Sequence, residues 1–209
     1  MLNLGVLASG RGSNFQAIID AVENEVLQAK IKVLLTDNPK AYAIERAKRN
    51  RIPWHYLDPN DFKTKDDYEW EIVRTLQDYG VDTVCLAGYM RLIGKKLLTA
   101  FPQRIINIHP SLLPAFPGLH AQMKALEYGV KIAGCTVHFV DDGMDTGPVI
   151  LQAAVPVYGD DTVDSLSERI LAQEHRILVE ALRLLAEGRL LVEGRQVKIL
   201  PGKGVEHVK

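Results

Sequence analysis

The sequence predicts an α/β protein with a doubly wound, mostly parallel but mixed sheet of Rossmann-like form. Three observations carry this. Apolar runs of strand length alternate with amphipathic helical patterns from Leu2 to Ile108. One of those runs, Thr83–Ala87, is apolar almost throughout, as expected of a strand covered by helices on both faces. Farther on, strands succeed one another without a helix between them, which predicts a mixed second half.

In order, Leu2–Ala8 (LNLGVLA) reads as a buried strand and Ser9–Asn14 as a turn. Phe15, Ile18, Ile19 and Val22 recur at helical spacing. Ser13-Asn14-Phe15-Gln16 fits a capping box that would start this helix at Ser13. A strand at Ile31–Thr36, a helix at Ala41–Arg49 and a short strand at Pro53–Leu57 follow. Tyr68–Tyr79 turns Ile72, Val73, Leu76 and Tyr79 inward and stops at Gly80. After the strand Thr83–Ala87 and the segment Gly88-Tyr-Met-Arg91, Lys95–Ala100 reads as helical. Ile105, Ile106 and Ile108 form a short buried strand, which Pro110 ends by removing a backbone donor. Ala121–Tyr128 reads as helix. Cys135–Val140 and Val149–Val155 read as strands around the turn-rich loop Asp141–Pro148. Asp161 or Thr162 should cap the longest helix, with Val163, Leu166, Ile170, Ile177, Leu178, Ala181, Leu182 and Leu185 as its core stripe and Gly188 as its end. A hairpin of Leu190–Val192 and Val197–Ile199 precedes a polar tail expected to be mobile.

A chain of 209 residues with 47% hydrophobic and 24% charged residues has the balance of an ordinary globular protein. Its net charge of −1 shows no bias toward nucleic acid or a membrane surface, so an anionic ligand needs a local site. No apolar run is long enough to span a membrane. Cys85 and Cys135 lie in apolar runs and make neither a disulfide framework nor a zinc spacing, which points to a reduced, cytoplasmic setting. His55, His120, His175 and His207 show no metal-ligand spacing, and no metal is expected.

Two stretches carry chemistry. Asn107 and His109 are two apart on a strand, so their side chains leave it on one face, at the end where open α/β sheets bind ligands. An amide beside an imidazole could also be a buried pair satisfied by backbone. Gly10-Arg-Gly12-Ser13-Asn14 joins a strand to a helix, where free amides and the helix dipole favour an anion. Phe15 stands where the dinucleotide fingerprint wants its third glycine, and a plain tight turn with a serine cap fits the same residues.

Asn107-Ile-His109-Pro-Ser-Leu-Leu-Pro114, followed by Phe116-Pro-Gly-Leu-His120, resembles the signature of the formyltetrahydrofolate-dependent formyltransferases. The resemblance runs from Gly5 to about Ile177 and is nearest to the branch that formylates glycinamide ribonucleotide in purine synthesis. It implies the same mixed α/β fold. It also implies one formyltransferase domain over 1–209, with a nucleotide-binding half at about 1–100, a catalytic and folate half at about 101–188, and a hairpin and tail at 189–209.

The implied reaction moves the formyl group of 10-formyltetrahydrofolate to the primary amine of glycinamide ribonucleotide. Asn107 and His109 would stabilise the oxyanion. Asp145, otherwise readable as a turn former between Gly143 and Gly147, would keep His109 a proton donor. Gly12, Ser13 and Asn14 inherit the substrate phosphate, and Glu174, otherwise a solvated helix-face charge, inherits the glycinamide end. Met90, Arg91, Leu92 and Ile93 match the folate-binding strip, with Asn107 beside it, although Arg91 alone reads as a surface cation. Lys65 stands where many relatives carry a folate-contacting arginine, and a lysine cannot offer the bidentate fork. His138 could face the site in a supporting role.

The implied partners are these two small molecules, with neither nucleic acid nor membrane, in a monomer or homodimer. Three rivals remain at this stage. A methionyl-tRNA formyltransferase would be expected to add a C-terminal RNA-binding domain. A formyltetrahydrofolate deformylase would be expected to add an N-terminal regulatory one. The third is a non-catalytic nucleotide- or NAD-binding module built on the Gly10–Asn14 turn.

Overall fold

The computed structural model of the protein describes residues 1–202. Most of the polar tail expected to be mobile, His207 included, lies outside the described residues. β1 (Leu2–Leu7), β2 (Ala29–Thr36), β3 (Trp54–Tyr56), β4 (Thr83–Leu86) and β5 (Ile105–His109) pair in parallel in the order β3-β2-β1-β4-β5. β6 (Ile132–Phe139) and β7 (Val149–Pro156) extend the sheet antiparallel. A hairpin of β8 (Leu190–Glu193) and β9 (Gln196–Ile199) finishes that edge, with β9 parallel to β7 through Val149 and Gln196. The chain winds outward in opposite directions from β1 and β4, so the crevice at their carboxyl ends is the switch point where such sheets take ligands.

Two apolar clusters flank the sheet. On one face α1 (Ser13–Glu23), α2 (Ala43–Arg49), α5 (Ala121–Tyr128) and α6 (Val163–Ala186) bury Phe15, Ile18, Ala43, Ala125, Ile170 and Leu178. On the other, α3 (Lys65–Asp78) and α4 (Lys95–Ala100) bury Tyr68, Ile72, Leu76 and Leu97 against Val33, Val84 and Ile105. Each large aliphatic side chain so buried stabilises the fold by roughly 1.5–3 kcal/mol, which is why the apolar periodicity located most elements. Cys85 and Cys135 are free and buried, and burial pushes both thiols up to about 12, leaving them protonated packing groups.

Three local expectations need correction. Ser13 does not cap α1: Gly12 holds that position at φ 67 with no side-chain cap, and Gln16 donates to Asp20 and accepts from Arg46 instead. A Cβ on Gly12 would lie 2.8 Å from Ala43 Cβ, so close packing of α2 already demands glycine there, before any ligand is considered. The third helix starts at Lys65 rather than Tyr68, because Thr64 and Asp67 form a reciprocal capping box one turn ahead of the apolar stripe. Val163 is 43% exposed, and the stripe of α6 begins at Leu166. Thr162 is the cap of that helix, while Asp161 pairs with Arg169 at 2.8 Å. Gly188 ends it at φ 67, returning its N–H to Leu185.

Candidate active site

The chain's chemistry gathers around one carboxylate. Asp145 Oδ2 lies 3.4 Å from His109 Nδ1 and accepts the N–H of Gly118 at 2.8 Å. Its Oδ1 accepts from Asn107 Nδ2 at 3.4 Å and lies 3.8 Å from His138 Nε2. β5 sends Asn107 and His109 out on one face, as the spacing requires, and antiparallel register sets His138 of β6 opposite Asn107. Thr136, opposite His109, ties down the Pro110–Pro114 loop. It donates to the Ser111 carbonyl at 2.7 Å and accepts from Leu113 N–H at 3.0 Å. Ser111 itself donates to the Ala115 carbonyl at 2.6 Å, so its hydroxyl serves the loop and not as a nucleophile.

The two imidazoles sit in different hydrogen-bonding surroundings. His109 Nε2 meets the Phe116 carbonyl at 3.0 Å, and Nδ1 faces Asp145. Both partners only accept, so whichever ring nitrogen carries hydrogen has an acceptor in front of it. His138 differs. Its Nδ1 donates to the Phe139 carbonyl at 2.8 Å, and its Nε2 accepts from Asn107 Nδ2 at 3.1 Å. Burial favours the neutral form of His138 and lowers its pKa, in keeping with that tautomer.

Asn107 holds His138 closely and Asp145 loosely, which makes the looser N–H the one able to turn toward an incoming oxygen. Phe116, His120 and Asp145 all have positive φ (50, 61 and 55), so the loops closing on this cluster carry backbone strain.

Around the glycine turn, Asn14 Nδ2 donates to Glu174 Oε2 at 2.8 Å in a buried pair. The structure thus brings two predicted site residues, from α1 and α6, into contact. It also commits the Asn14 side chain inward, leaving its backbone N–H for any anion at the turn. Glu174 is 7% exposed, which excludes a solvated helix-face charge. Burial raises its pKa, and the Asn14 bond offsets part of that.

An acid with a raised folded pKa makes the fold most stable below the unfolded value of about 4.5, and that stability is lost as pH climbs through the folded value. Glu174→Gln keeps an oxygen for Asn14 and removes the charge. Its melting temperature should therefore pull ahead of the wild type's as pH rises above 4.5 in a thermal melt series. A gap that stays constant with pH would mean Glu174 titrates as an exposed acid.

The predicted folate residues lie at the switch point. Met90 N–H donates to Ser9 Oγ at 3.0 Å and Ser9 N–H to the Gly88 carbonyl at 3.0 Å, joining the strip to the end of β1. Met90 and Leu92 are exposed and Ile93 packs on the α3–α4 cluster. Arg91 is not a free cation: its Nε donates to Asp37 at 2.8 Å. Lys65, the first residue of α3, has its ammonium 3.7 Å from Glu69. Three functional positions escaped the sequence: the Gly118 amide, the Phe116 carbonyl and the neutral state of His138. The Phe116–His120 motif was the signal for the first two. Only the antiparallel register reveals the third.

The formyl transferase family model matches residues 2–182. The phosphoribosylglycinamide formyltransferase of Bacillus subtilis is 47% identical over 176 residues, covering 84% of this chain and 90% of that protein. The crystal structure of glycinamide ribonucleotide transformylase 1 from Symbiobacterium toebii superposes with a TM-score of 0.95 at 56% identity, covering 96% of this chain and 95% of that one. The trifunctional purine biosynthetic protein adenosine-3 of Drosophila melanogaster is 44% identical over 191 residues, but this chain spans only 14% of its length.

Proposed function

The chain belongs to the formyl transferase family, and on that premise we propose that it transfers the formyl group of 10-formyltetrahydrofolate to the amine of 5'-phosphoribosylglycinamide. The products are phosphoribosyl-N-formylglycinamide and tetrahydrofolate, a step of purine biosynthesis. The observation that carries this reading is the Asp145 carboxylate meeting both Asn107 and His109 at the end of β5. The free, buried cysteines fit a reducing, cytoplasmic setting.

In the proposed mechanism the neutral amine attacks the formyl carbon, forming a C–N bond and a tetrahedral intermediate with oxyanion character. The loosely held N–H of Asn107 and a His109 N–H that leaves the Phe116 carbonyl donate to that oxygen, each well-placed donor contributing roughly 3–4 kcal/mol. As the bond from carbon to the folate nitrogen breaks, His109 supplies the proton that nitrogen gains, and the proton the substrate amine gives up returns to His109. Asp145 holds the His109 ring turned toward the site. The uncapped first turn of α1 favours the substrate phosphate at the amides of Gly12, Ser13 and Asn14. Glu174, held by Asn14, favours the glycinamide end. Met90–Ile93 and Lys65 favour the folate.

Purified protein should convert 10-formyltetrahydrofolate to tetrahydrofolate only when glycinamide ribonucleotide is present, measured by absorbance of the released folate. Equal turnover without the acceptor would make the protein a deformylase. Binding of NAD with no turnover at all would make it a nucleotide-binding module.

A further inference from the structure

Glu69 is the one buried carboxylate among the described residues with both oxygens unpartnered by hydrogen bonds. It is 4% exposed, on the inner face of α3 among Tyr68, Ile72, Val73 and Leu76. An aliphatic side chain would bury there at far less cost, so stability does not explain an acid at this position. Its nearest cation is the Lys65 ammonium, one helical turn back at 3.7 Å.

Gly94 explains where the carboxylate points. A Cβ built on Gly94 would collide with Glu69 Oε1, lie 2.5 Å from Oε2 and 2.7 Å from Cδ. Gly94 has φ −107 and ψ −176, a backbone any residue adopts, so it is glycine for space and not for conformation. It directly follows Ile93 and precedes α4. α3 grips the same segment at two further points. The Tyr68 and Tyr89 hydroxyls are 2.8 Å apart, and the Arg91 guanidinium lies 5.9 Å from the centre of the Tyr68 ring. Glu69 also borders a groove of about 650 Å³ between α3 and α4, whose rim carries Lys65, Lys95, Lys96 and Asp66. Asp66 is 3.7 Å from the Lys96 ammonium, so Lys65 is the rim cation that pairs with Glu69.

We propose that Glu69 is a positioning residue for the co-substrate: it seats the C-terminal end of the Met90–Ile93 strip through Gly94 and aims Lys65, so that one buried acid sets both halves of the folate contact. The inference rests on the folate reading of that strip.

Glu69→Gln tests it, because the amide keeps the shape and removes the charge that holds Lys65. The KM for 10-formyltetrahydrofolate should rise about tenfold, since small misplacements of binding groups have costs of that order or more. The KM for glycinamide ribonucleotide and kcat at saturating folate should stay within about twofold. The spatial half is tested by Gly94→Ala, which should raise the folate KM alone, and by the double variant Glu69→Ala/Gly94→Ala. With the collision removed, the added alanine should cost the double variant nothing beyond Glu69→Ala itself.

An unchanged folate KM in Glu69→Gln overturns the proposal. So does a parallel rise in both KM values with a lowered melting temperature, or a Gly94→Ala penalty that persists in the double variant. These outcomes are read against an active wild type. A wild type that consumes no 10-formyltetrahydrofolate in the presence of glycinamide ribonucleotide would refute the function itself.

Discussion

Asp145→Asn should lower kcat at neutral pH by about 100-fold or more while leaving the KM for either substrate within a few-fold. The substitution nearly preserves shape but removes the charge that faces His109 Nδ1 at 3.4 Å. With an amide there, the imidazole loses the anionic partner that orients it toward the reacting atoms, and proton transfer slows. The Gly118 N–H, donated to Oδ2 at 2.8 Å, can still find the amide oxygen, so the loop should keep its course. If Asp145 only shaped the folate wall, the folate KM would rise and kcat would stay in place.

Asn107→Ala should cost kcat roughly 100- to 1,000-fold, corresponding to about 2.7–4 kcal/mol of lost transition-state stabilisation. Its contact with Asp145 is long and its contact with His138 close, so one N–H is positioned to follow charge as it develops. Substrate binding should change far less, because the amide acts mainly on an oxygen that becomes anionic only in the transition state. Steady-state kinetics on both substrates checks this. Near-normal kcat would remove Asn107 from the oxyanion site.

Much of this site was legible in the sequence because its parts lie close along the chain. Asn107 and His109 share a strand face by the period of two, and the Gly10–Asn14 turn announces a strand entering a helix. What escaped depended on partners far away in sequence. Ser13 has the residue types of a capping box, but the packing of Ala43 on Gly12 imposes a left-handed turn that such a cap does not permit. The sheet turns antiparallel at β6 although α5 intervenes, and that reversal places His138 opposite Asn107. A strand–helix–strand rhythm cannot disclose it. The sequence left Glu174 open between a substrate contact and a solvated charge, because its burial comes from packing of α6 on α1 and β6, which no helical period contains. Arg91 is the surface cation the sequence suggested, but its ion pair with Asp37 was hidden because the partner belongs to a different loop.

The central claim is that Asp145 and His109 act as one catalytic unit, the carboxylate holding the imidazole in place at 3.4 Å. A double-mutant cycle of Asp145→Asn and His109→Ala, read in kcat, measures this directly. The double variant should be no slower than the slower of the two single variants, because each change removes the same unit. Losses in kcat that multiply across the two sites would contradict it.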